Sequence, residues 1–78
     1  MTKNIKFNGT FSQINQFYRL TSLVENDVFL KHGRTCVDAK SLMGIYSMPL
    51  AEDMELEIIE KNKDEVAEYL RQLEKIGL

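Results

Sequence analysis

The chain has 78 residues, room for one compact domain with a small core. Its 44% hydrophobic share is ordinary for a globular protein, and ten basic against twelve acidic residues leave a net charge of −2, which gives no electrostatic footprint for nucleic acid or an anionic membrane. One cysteine, Cys36, and one histidine, His32, exclude an intramolecular disulfide framework and a metal-ligand cluster.

Lys3 to Phe7 alternates polar and apolar residues, with Ile5 and Phe7 on one face, and predicts a short strand. It lacks the apolar run of a secretory signal, and no segment reaches the ~20 apolar residues of a membrane helix. With the single thiol, this leads us to expect a cytoplasmic protein. Asn8-Gly9 is a turn signal. Phe11, Ile14, Phe17/Tyr18, Leu20/Thr21 and Val24 then recur at three to four residues, the spacing of one helix face. Thr10 or Ser12 supplies a hydroxyl for the N-cap, and the helix fades by Glu25-Asn26-Asp27.

Asp27 to Lys31, with Val28, Phe29 and Leu30, has strand composition, as does Thr35 to Asp38. The intervening His32-Gly33-Arg34 predicts a β-hairpin. Cys36 alternates away from Val37, toward the outer side of the sheet. Ser41 precedes the apolar segment Leu42 to Tyr46, and Pro49 stops it, so a short helix with Ser41 near its N-cap is expected. Ile45 and Leu50 are its core candidates. Met54, Leu56 and Ile58 alternate with Glu55, Glu57 and Ile59 as a fourth strand. Asn62 followed by Glu65 has the spacing of a capping box, and Val66, Tyr69/Leu70, Leu73 and Ile76 form the stripe of a last helix that Gly77 is placed to end. The order β-α-β-β-α-β-α makes one α+β domain over residues 1–78. Its architecture is an open-faced sandwich, a four-stranded antiparallel sheet with three helices on one face.

The stretch from Asp27 through Met48 resembles the HPr phosphocarrier family, most sharply at Lys40-Ser41-Leu42-Met43-Gly44, which is similar to that family's regulatory-serine motif. The element order is also the HPr order. HPr proteins relay phosphate between sugar-transport enzymes on a histidine at the start of the first helix. Counting back from Asp27-Val28 places Thr10 at that position, and Ser12 and Gln13 where the family has arginine and proline. A phosphate ester on Thr10 would be a far poorer donor than a phospho-histidine, and no guanidinium remains to hold the phosphate. The resemblance is therefore to the catabolite-repression HPr-like branch, which keeps the serine without the histidine, although Ser12 replaces an arginine of that branch too.

What the resemblance implies is a regulatory or adaptor protein without catalytic residues or cofactors. Its partners would be proteins: a transcriptional regulator, a kinase or a sugar-transport component. Ser41 is the candidate for regulatory phosphorylation, against the plainer reading of an N-cap. Leu42, Met43, Tyr46 and Met48 are candidates for an apolar docking surface, against packing on the sheet, and Arg19 falls where the family carries a basic residue beside that surface. Two other functions compete: a diverged HPr fold with an unrelated binding role, and a phosphocarrier using an unusual acceptor such as Thr10.

Overall fold

The computed structural model describes residues 1–78 as seven elements in the expected order: β1 (Thr2–Ile5), α1 (Phe11–Leu23), β2 (Asp27–His32), β3 (Thr35–Asp38), α2 (Leu42–Tyr46), β4 (Met54–Ile59) and α3 (Lys63–Lys75). The strands form one sheet in the order β1-β4-β2-β3, and every neighbouring pair is antiparallel. β4 therefore lies between β1 and β2, which run parallel to each other. Leu56 is paired with Lys3 on one side and Leu30 on the other, which fixes the register of the three central strands.

Because side chains alternate along a strand, this register puts Ile5, Val28, Leu30, Met54, Leu56 and Ile58 on one face, all buried. Ile14, Phe17, Ile45, Val66, Tyr69 and Leu73 of the helices meet them there. The opposite face carries Asn4, Phe29, Lys31, Cys36, Glu55 and Glu57 and has no helix over it. Lys31 Nζ donates to Glu57 Oε2 at 2.8 Å across that face, and this hydrogen bond raises the lysine pKa. Cys36 is exposed on the same face, beside Lys31.

α1 and α3 lie antiparallel on the sheet and are joined at both ends. Gln13 Nε2 donates to the Ile76 carbonyl at 2.9 Å, and the Thr21 and Tyr69 hydroxyls share a buried hydrogen bond of 2.6 Å. Burial pushes the Tyr69 phenol up to about 12, against an opposing pull from the Thr21 bond. α3 ends on Gly77 at φ 92°, with Gly77 N–H bonded to the Glu74 carbonyl and Leu78 N–H to the Leu73 carbonyl. This is a Schellman cap, whose left-handed residue is best filled by glycine.

Three details depart from the sequence reading. β1 pairs from Thr2 to Ile5, so Phe7 lies past the ladder. Its ring instead turns into the core, edge-on to Phe17 with centroids 5.2 Å apart. The capping box is half formed: the Asn62 side chain accepts from Asp64 and Glu65 N–H, but Glu65 accepts from Glu25 N–H rather than reaching back to Asn62. Asn62 N–H is held by the buried Asn26 Oδ1 instead. Leu50 is only half-buried, at the margin of the core, whereas Ile45 is fully enclosed.

Candidate functional site

Two helix starts and the apolar side chains next to them make up the candidate site. Thr10 is the N-cap of α1: its extended backbone (φ −92°, ψ 142°) lets the hydroxyl accept from Gln13 N–H at 3.2 Å. The same hydroxyl donates to Asn8 Oδ1 at 2.7 Å, and Thr10 N–H donates to that oxygen at 3.0 Å. Gln13 is buried, with Oε1 accepting from Asn8 N–H at 2.7 Å and Nε2 bound to α3. It ties the loop before α1 to the end of α3. Ser12 is exposed, and neither it nor Gln13 offers a cation.

Ser41 is the N-cap of α2, accepting from Gly44 N–H at 3.1 Å. Gly44 permits this closeness, since a Cβ there would stand 3.3 Å from Ser41 Oγ and 3.3 Å from the Asp38 carbonyl. Ser41 is exposed, so its hydroxyl is open to solvent as well as to the helix. The residue before it, Lys40, donates from Nζ to the Val24 carbonyl at 2.7 Å, fastening the Ser41 turn to the end of α1.

Leu42, Met43 and Tyr46 are exposed by 37%, 86% and 40%. A fourth residue joins them: Phe11, 72% exposed, whose ring lies 6.2 Å from that of Tyr46 at 49°. Its spacing places Phe11 on one helix face with Ile14, but at the first position after the cap nothing covers it. Met48 is the opposite case. It is 5% exposed and belongs to the core, because the turn after α2 continues with Met48 N–H donating to the Ile45 carbonyl at 3.1 Å, and this brings Met48 to the buried side. Its place in an apolar docking surface is corrected accordingly. Arg19 is exposed on α1 and forms no ion pair; it is the only charged side chain in α1 or α2.

His32 lies elsewhere, at the end of β2, with Nε2 3.6 Å from a Glu52 carboxylate oxygen. It borders a shallow depression with Asn4, Lys31, Asp53 and Glu55, at the turn end of the sheet. No helix in the structure is long and apolar enough to cross a membrane.

Residues 13–76 match the family model described as the PTS HPr component phosphorylation site. The chain belongs to the HPr family. Two solved structures share its fold. HPr-C-His from Thermoanaerobacter tengcongensis superposes with a TM-score of 0.76 at 18% identity, covering 97% of this chain and 89% of that one. The phosphocarrier protein HPr from Bacillus anthracis str. Ames gives 0.74 at 18% identity, covering 97% and 94%. No curated protein matches. HPr proteins are phosphocarriers that work with protein partners such as the enzymes of the phosphotransferase system. In this HPr-family chain the matched residues begin at Gln13, three positions past the threonine that caps α1.

Proposed function

We propose that this protein is a non-catalytic adaptor of the HPr family. It binds a protein partner through Phe11, Leu42, Met43 and Tyr46, and phosphorylation of Ser41 modulates that binding. The observation that carries the reading is the exposed apolar cluster itself, which spans two helices and is joined by the Phe11–Tyr46 contact. Contiguous exposed apolar side chains of this kind mark interaction sites more often than accidents of packing. Flexible Met43 suits a surface that adapts to its partner.

The electrostatics favour a partner with acidic residues around an apolar centre. α1 and α2 contain no carboxylate, and Arg19 on the solvent face of α1 is free of intramolecular ion pairs. A phosphate on Ser41 would add about −1.5 to −2 charges beside the cluster and reverse the local sign. The Ser41 position is suited to it, since the side chain is exposed and already faces the Gly44 N–H.

Phosphoryl relay is not part of the proposed function. Thr10 Oγ1 is engaged in both a donated and an accepted hydrogen bond, and the nearby Ser12 and Gln13 bring no positive charge to a phosphate. The test is a binding measurement from native lysate, comparing the unmodified protein, its Ser41-phosphorylated form and a variant with Met43→Ser and Tyr46→Ser. A partner held by the first and lost by the double variant supports the proposal. A partner held equally by all three places the interface elsewhere.

A further inference from the structure

The loop before α1 combines three features that the docking role does not use. Asn8 is exposed and is followed by glycine, and it is the only one of the five asparagines so followed. Gly9 lies at φ 83° with open space around its missing Cβ, and its N–H, outside every helix and strand, has no partner within the chain. Asn8 Oδ1 accepts two hydrogen bonds, from the Thr10 N–H at 3.0 Å and the Thr10 hydroxyl at 2.7 Å. The other asparagines differ: Asn4 lies in β1, Asn15 in α1, Asn26 is fully buried, and Asn62 caps α3.

We infer that Asn8 is a site of spontaneous deamidation, a covalent change that acts at the N-cap of α1 next to Phe11. The Gly9 main-chain nitrogen gives up its proton to hydroxide and attacks Asn8 Cγ, forming an N–Cγ bond. Negative charge develops on Oδ1, the atom that the two Thr10 donors already hold, the arrangement that stabilises an oxyanion. The Cγ–Nδ2 bond then breaks, and nitrogen leaves as ammonia after taking a proton from water. A five-membered imide remains. Water opens it in one of two ways: breaking the bond to Cγ yields aspartate, and breaking the bond to the Asn8 main-chain carbonyl carbon yields isoaspartate. Glycine at position 9 favours the ring because no side chain obstructs the approach.

The two products act differently on the cap. Aspartate keeps an oxygen facing Thr10 and adds a negative charge at the positive end of α1, where no acidic residue stands in the first turn. Isoaspartate adds one carbon to the main chain. The Asn8 N–H bond to Gln13 and the two bonds from Thr10 cannot then all persist, so the start of α1, and Phe11 with it, must shift.

The experiment incubates the purified full chain at mildly alkaline pH, folded and in denaturant, with an Asn8→Gln chain alongside, and follows it by peptide mapping and isoaspartate-specific methylation. Circular dichroism checks that the first sample stays folded. The expected result is a gain of one mass unit confined to the Asn8 peptide of the folded chain, faster as pH rises, with isoaspartate appearing there and no such change in the Asn8→Gln chain. An Asn8 that stays intact in the folded chain, or conversion that begins at another asparagine, overturns the inference.

Discussion

Phe11 and Tyr46 belong to different helices, yet their rings lie 6.2 Å apart on the surface of the molecule. The contact joins the start of α1 to the end of α2 and makes a single apolar surface from residues far apart in sequence. Since neither ring is buried, their removal should be felt by a partner and not by the fold.

Met43→Ser with Tyr46→Ser is therefore expected to leave stability within about 1 kcal/mol of the parent, the range of exposed substitutions away from special features. Partner binding should fall by tenfold or more, about 1.4 kcal/mol or greater. Urea unfolding and a titration with the partner measure the two effects separately. Collapse of the fold would show that the surface is in fact part of the core.

Met48→Ala should behave in the opposite way. Its side chain is in the core, so the change should cost about 2–5 kcal/mol. Binding measured on the fraction that remains folded should be unaltered. A shift in the denaturation midpoint without change in slope is the signature.

Ser41→Ala removes the acceptor for Gly44 N–H and should cost about 1 kcal/mol. Ser41→Asp keeps an acceptor at the cap and adds the charge that the start of a helix favours, so its stability should stay close to the parent while partner affinity changes. Thermal melts beside binding curves separate the cap from the proposed switch. Equal affinity for Ser41→Asp and parent would remove the switch from the proposal.

The fold was legible because each element carried its own local signal. Alternation in β4, the capping positions of Ser41 and Asn62, and Gly77 after α3 all act within a few residues, while at the start of α1 the sequence offers Thr10 and Ser12 and the structure decides for Thr10. The site was legible only in part. Periodicity reports the direction a side chain takes and not whether another element lies beneath it, which is why Phe11 was grouped with Ile14. Met48 carried a usable signal, three residues past the buried Ile45, but Pro49 marked the helix as ended and hid the continuing turn. Glu65 shows the same limit for capping: its sequence spacing fits a box, but Glu25 N–H from another segment claims the carboxylate. Long-range partners of this kind leave no trace in local spacing.

The Tyr69 phenol offers a pH test of the α1–α3 contact. Its folded value of about 12 lies above the ordinary tyrosine value near 10, and burial is the main cause. The folded state thus favours the protonated form. The stability this contributes is complete below pH 10 and is lost as pH rises from about 10 toward 12. Tyrosinate absorbance should show one phenol titrating late, and that late step should vanish in Tyr69→Phe. The substitution should also cost about 1–3 kcal/mol, because it leaves the buried Thr21 hydroxyl without its partner.

The most direct test of an adaptor that does not relay phosphate is to supply the protein with phosphoenolpyruvate and the general phosphotransferase enzyme that charges HPr proteins. The sequence resemblance sets Thr10 at the family's histidine position, with Ser12 and Gln13 beside it, so the proposal expects the chain to stay unlabelled and Thr10→His alone to restore little. Clear acid-labile labelling of the unaltered protein would contradict the proposal.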